Sequence, residues 1–185
     1  TIEVYYEKMV GNVAGIIMSK EKYDELIEKY GSINLKNVTE AVANGEINMG
    51  YTNPFASATG LNFLVSTLST FDSSDPLSEK AIEGFNEFQT NIPLVAYTTL
   101  QLRNSAESGI LDGFIMEYQT YINSPELKAD YVFTPFGYRH DSPLYAVGNL
   151  SEEKKEILNR FIEFYKGEKY QDLATEYGFN NLEDY

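Results

Sequence analysis

The chain has 185 residues, 43% of them hydrophobic, enough to bury the core of one α/β domain and too many for an intrinsically disordered segment. Its 28 acidic residues against 14 basic ones give a formal net charge of −14, so the basic surface that nucleic acid requires is missing. The absence of cysteine removes disulfides, thiolate metal sites and cysteine nucleophiles together, and no apolar run approaches the roughly 20 residues of a membrane helix.

In chain order, Asn12 to Ser19 is a short apolar run after Gly11 that predicts a buried strand feeding a helix, with Ser19 as its cap. In that helix Tyr23, Leu26, Ile27 and Tyr30 share one face, and Gly31 ends it. Asn37-Val-Thr-Glu40 has the spacing of a capping box and predicts a second helix running to Gly45. Ile47 to Thr52 reads as a strand that stops at Asn53-Pro54. Leu61, Leu64, Val65, Leu68 and Phe71 then repeat at helical spacing and place a helix over about Ser57 to Thr70. Asp75-Pro76 opens another helix, ending near Phe88. Pro93 to Tyr97 reads as a strand, Thr98 to Ser108 as a short helix, and Gly109 to Glu117 as a turn and strand. Tyr131 to Phe136 and Pro143 to Val147 are two further strands joined by a turn over Gly137 to Ser142. Ser151 caps a helix with Ile157, Leu158, Phe161, Ile162 and Tyr165 on one face, and residues 168 to 178 form one more.

Strands separated by helices imply a three-layer α/β/α fold with a mostly parallel sheet. Ligands of such sheets sit outside the carboxyl ends of the strands, beside helix N-termini. That directs attention to Tyr51-Thr-Asn-Pro-Phe-Ala-Ser-Ala-Thr-Gly60, which brings three hydroxyls, an amide and several backbone N–H groups to the mouth of a helix. The first N–H groups of a helix have no partner within it, and the dipole adds partial positive charge, so an anion can be held there without arginine. Ser57 and Thr59 are the candidate donors, Thr52 and Asn53 shape the loop, and Gly60 would let the backbone pass close to a ligand. Plain helix capping explains the same serine and threonine without any ligand.

The segment Thr-Asn-Pro-Phe-Ala-Ser-Ala-Thr-Gly resembles the Asn-Pro-x-x-Ser-x-Thr-Gly loop of the second lobe of type 2 periplasmic solute-binding proteins, the molybdate, sulfate and related oxyanion branch in particular. The order of elements matches over most of the chain, from a hinge-like strand at Asn12 to Ser19, through Ser108 to Tyr118, to closing strands before a C-terminal helix pair. Thr98 to Tyr118 also resembles solute-binding regions that precede a von Willebrand A domain in some extracellular proteins. The resemblance implies residues 1–11 as a hinge-proximal segment, 12–147 as the solute-binding lobe, and 148–185 as a helical segment packed on that lobe or on a first lobe outside this chain. It implies Thr52, Asn53, Ser57, Ala58, Thr59 and Gly60 as ligand-binding residues, with Glu117 and Tyr118 pointing into the cleft and Arg139 reaching it from Gly137 to Ser142. The solute is then a small molecule or ion, an oxyanion as the family suggests. Glu117 departs from that expectation, since a carboxylate repels an anion unless it pairs with Arg103 or Arg139; otherwise the ligand is neutral or cationic.

The same resemblance implies an extracytoplasmic protein, periplasmic or at the cell surface and lipid-anchored in its full-length form, working with an ABC transporter permease or a neighbouring surface-protein domain, without cofactor or metal. Thr1 in place of an initiator methionine suggests numbering that starts inside a longer gene product. The alternative is a docking module of a larger cell-surface protein that has lost solute binding; Phe55 and Tyr51 filling the cleft mouth would be its mark. Catalysis is not expected: His140 is the single histidine and no Gly-x-Ser-x-Gly occurs, which leaves Glu117 as a base the only enzymatic reading. Tyr5-Tyr6 is read as core or edge packing, Glu152-Glu153 as a helix first turn, and Glu183-Asp184 as a solvated tail.

Overall fold

The computed structural model describes residues 1–180; the acidic pair Glu183-Asp184 lies outside them. Two sheets organise the chain. The first is a ribbon of β1 (Ile2–Asn12) and β7 (His140–Val147), paired antiparallel with two register shifts. The second has five strands in the order β4 (Leu94–Ala96), β3 (Met49–Thr52), β5 (Gly113–Glu117), β2 (Ala14–Ser19), β6 (Tyr131–Pro135). β3 runs parallel to β4 and β5, whereas β2 opposes both β5 and β6, so four of the five strands share one direction. β1 and β2 are separated by Val13 alone, whose carbonyl accepts from Tyr118 N–H at 2.8 Å.

β2 is buried on both faces, with Ile16, Ile17 and Met18 essentially inaccessible, as a continuous apolar run inside a covered sheet should be. Helices cover the sheet on two sides, which adjacent residues of β3 show directly. The ring of Tyr51 packs on Phe63 of α3 (Ala58–Phe71) and Phe85 of α4 (Glu79–Thr90). The Cα–H of Gly50, on the opposite face, meets Leu102 of α5 (Thr99–Glu107). The three layers expected from the alternation are therefore present.

Local chemistry sets the helix ends. Ser19 caps α1 (Lys20–Tyr30) by accepting from Lys22 N–H, and Gly31 ends it at φ 76°. α2 (Leu35–Ala43) begins one turn earlier than expected. Asn34 is its cap, and Asn37, read as the cap, instead gives its N–H to the Asn34 side chain. Asp75-Pro76 likewise forms a turn, and Ser78 caps α4. The apolar repeat that predicts α3 is buried in part: Leu68 lies in the core, and Leu64 and Phe71 pack against it. Leu61 and Val65 are exposed, and Thr59, Gly60, Phe63 and Thr67 face inward. Close approach sets the first turn: a Cβ on Gly60 would lie 2.1 Å from the Thr52 carbonyl oxygen, so glycine is required there, while Phe63 fills the core one turn on.

The turn expected over Gly137 to Ser142 is shorter than predicted, because His140 to Ser142 already belong to β7, and the strands it joins lie in different sheets. Two short helices, α6 (Tyr118–Ile122) and α7 (Pro125–Asp130), were not anticipated. α8 (Glu152–Tyr165), capped by Ser151 with Glu152 and Glu153 in its first turn, packs against β1 through Tyr5, whose hydroxyl donates to Asn159 Oδ1 at 2.9 Å. After α9 (Glu168–Glu176), Asn180 bridges back to Gly11 through two backbone hydrogen bonds of 2.7 and 3.0 Å. No helix among the described residues is long and apolar enough to cross a membrane.

Candidate functional site

The carboxyl ends of β3, β4 and β5 come together at one edge of the sheet, because the three strands are parallel and Thr52 is level with Ala96. Asn53 N–H extends the ladder to Ala96 O at 2.7 Å. Its side chain then folds the loop: Asn53 Oδ1 accepts from Phe55 N–H, and its carbonyl accepts from Ala56 and Ser57. This turn leaves Phe55 fully exposed and aims the chain into α3.

Ser57 caps α3 from an extended backbone, its Oγ accepting from Gly60 N–H at 3.2 Å and from Thr52 Oγ1 at 2.9 Å. Leu61 N–H goes to Ser57 O, so the amides of Ala58 and Thr59 are the two at this helix start without an intrahelical acceptor. Ser57 is half-buried and Ala58 exposed, which keeps the helix start open to solvent. Thr52 and Thr59 are buried, at 0% and 3% exposure. The expected role of Gly60 shifts accordingly: what its backbone approaches is the Thr52 carbonyl.

Thr59 reaches across to β5. Its hydroxyl donates to Glu117 Oε1 at 2.5 Å, and Thr99, the first residue of α5, donates to Oε2 at 3.4 Å. Thr98 caps α5 in a capping box with Gln101, whose Oε1 accepts from the N–H of Tyr97 and Thr98. Two helix starts, each following a parallel strand, thus converge on one carboxylate. Thr99 is a site residue that the sequence reading missed; the signal was present in the repeat of the strand, hydroxyl cap and helix order at 94–107.

Neither basic residue considered as a partner for Glu117 reaches it. Arg103 bonds Glu107 at 2.9 Å and also Glu126. Arg139 lies folded over Gly11, with its Nε on Asp141 Oδ1 at 2.7 Å. Among the described residues no ion pair involves Glu117. Tyr118 follows Glu117, its ring against Phe133 at 5.1 Å between centroids. A second residue missed is Asn62, one turn into α3. Its amide donates to Tyr138 O at 2.9 Å and accepts from Tyr138 N–H at 3.2 Å, which ties the segment before β7 to the site helix.

The sequence profile of the family described as bacterial extracellular solute-binding proteins matches residues 4–180. The chain belongs to this family. No curated protein matches it. Among solved structures, this solute-binding chain is similar in fold to a periplasmic thiamin binding protein (TM-score 0.66, 13% identity, 97% of this chain and 54% of that one). It is also similar to the sulfate-binding protein SubI from Mycobacterium tuberculosis (0.70, 13%, 96% and 58%) and to iron-bound HitA from Pseudomonas aeruginosa (0.61, 15%, 91% and 53%). The solute-binding chain therefore spans a little over half the length of these neighbours. Thiamin, sulfate and iron are the solutes of these three proteins, so the shared fold leaves the solute open and the side chains at the sheet edge must decide it.

Proposed function

We propose that the chain binds a small solute at the start of α3, with Ser57, Ala58 and Thr59 receiving an oxygen of the solute and Thr52, Asn53 and Gly60 holding the loop in shape. The observation that carries this reading is the open helix start at the carboxyl edge of the sheet: the amides of Ala58 and Thr59 have no acceptor within the helix, and exposed Ala58 leaves that start open to solvent, where ligands of such sheets sit. Glu117 and Tyr118 border the same edge. Arg139 enters this proposal only through its backbone segment, since its guanidinium is committed to Asp141. The role is that of an extracytoplasmic binding protein, lipid-anchored in a longer product, delivering its solute to an ABC transporter permease and performing no catalysis.

In this reading residues 12–147 form the binding lobe and 148–185 its helical attachment. Because β7 pairs with β1, the connection outward consists of residues 2–12 together with 140–147. The docking-module alternative draws no support from the mouth of the site. Tyr51 is buried in the core, and Phe55 projects fully into solvent instead of filling the mouth.

Backbone chemical-shift mapping with a panel of neutral, cationic and anionic small solutes tests the proposal. The expected result is a saturable shift of the Ala58 and Thr59 amides with at least one solute, lost in Ser57→Ala. Saturable shifts confined to other parts of the chain would sink it.

A further inference from the structure

We propose that Glu117 selects the solute: its carboxylate occupies the hydroxyl donors of two helix starts, turns away free oxyanions, and favours a small organic cation. This rests on the solute site proposed above and names the class of molecule that enters it.

The argument begins with protons. A threonine hydroxyl has one to donate. That of Thr59 goes to Glu117 Oε1 and that of Thr99 to Oε2, so neither is available to an incoming anion while the carboxylate is in place. The partial positive charge at the starts of α3 and α5, which would otherwise favour an external anion, acts on the protein's own carboxylate. An oxyanion at the Ala58 and Thr59 amides would stand beside a fixed negative charge in a chain already at −14. Among the described residues no ion pair offsets it: none involves Glu117, and Arg103 and Arg139 are engaged with Glu107, Glu126 and Asp141.

A cation supplies what Glu117 lacks, an ion-pair partner. Exposed aromatic rings follow the same strand ends, which favours a cation with an alkyl shell over a hydrated metal. Phe55 is wholly exposed and Tyr97 is 69% exposed on the neighbouring loops after β3 and β4, and aromatic faces attract alkylammonium groups. The Ser57 hydroxyl proton and the two free amides then serve an oxygen of the same molecule. The class is a small organic ammonium that also bears a hydroxyl or carbonyl oxygen.

The test is an NMR titration of the 185-residue chain and of Glu117→Gln with choline, sulfate and glucose. Choline is expected to move the amides of Thr59, Thr99 and Tyr118 in the unaltered chain, and sulfate at the same concentration is not. Glu117→Gln should weaken choline at least about tenfold, the usual consequence of removing one partner of a hydrogen-bonded charge pair, and should admit sulfate at α3. Glu117→Asp, which keeps the charge, should hold choline more tightly than Glu117→Gln does. Sulfate binding at α3 in the unaltered chain overturns the inference, as does choline binding that ignores the Gln substitution. Glucose binding equally to both proteins, without choline, leaves the site standing and removes the charge selection; no shift at residues 53–60 with any of the three removes both. Should Glu117→Gln lose the dispersed spectrum of a folded chain, the preference of the unaltered chain between choline and sulfate decides alone.

Discussion

Ser57 and Gly60 show how much of the site follows from chemistry within one turn of helix. A serine before an apolar periodic run is readable as a cap because the bond it makes, to Gly60 N–H, spans three residues. Gly60 is different, since its reason lies on β3: any side chain there would strike the Thr52 carbonyl. Gly60→Ala should therefore destabilise the fold by about 1–3 kcal/mol, the range for overpacking a tight contact, measured as a fall in the urea midpoint at unchanged slope. The Thr59–Glu117 and Thr99–Glu117 bonds were out of reach of sequence reasoning, since they join three separate strand ends. At the other end of α3, Asp72 accepts from Ser74 and Ser78 hydroxyls and from the Ser74 and Asp75 amides, which pull its carboxyl from an ordinary 3.8 down to about 2. A depressed folded value stabilises the protein above the ordinary value and loses that contribution as pH falls from 3.8 toward 2. Urea midpoints for Asp72→Asn should lie below the parent at pH 6 and converge on it near pH 2.

At the scale of elements, every helix long enough to show a period was found in the sequence, and the errors concern where each begins and which residues it buries. α2 and α4 start at Asn34 and Ser78 because those residues have a free amide three positions on, whereas Asn37 and Asp75 are used inside the turn. On α3 the large residues Phe63, Leu64, Leu68 and Phe71 pack on the core, but the first turn lies so close to β3 that Thr59 and Gly60 take the inward positions there. α6 and α7, at five and six residues, are too short to carry a period at all. β1 escaped notice because only Met9 and Gly11 are buried along it, so no burial alternation marks it. Asn62 links these elements. Replacing it by alanine removes both backbone bonds to Tyr138 at a cost of about 1–3 kcal/mol, and hydrogen exchange at residues 138–140 should accelerate while that of β2 stays slow.

Across the whole molecule, two kinds of surface stand out. The sheet and its helices enclose a continuous core, but the β1–β7 ribbon turns Ile2, Val4, Tyr145 and Val147 outward as two facing cross-strand pairs. α8 exposes Ile157, Phe161 and Phe164 along one stripe. The composition announced a core without saying which apolar residues would stay outside it, because exposure depends on partners that periodicity does not report. The ribbon is also thin, with two strands and irregular register, so its amides should exchange faster than those of β2 and β5.

The single residue between ribbon and sheet has a further consequence. Val13 is held by Tyr118 N–H, and Ala14 lies opposite Glu117 in the ladder, so the joint between ribbon and sheet adjoins the carboxylate. Under the proposed charge selection, a guest paired with Glu117 should stiffen that joint, and a long ribbon magnifies small changes in angle at its tip. Paired spin labels on cysteines introduced at Glu3 and Glu21, unambiguous in a chain without native thiols, should report a narrower spread of separations once choline is added.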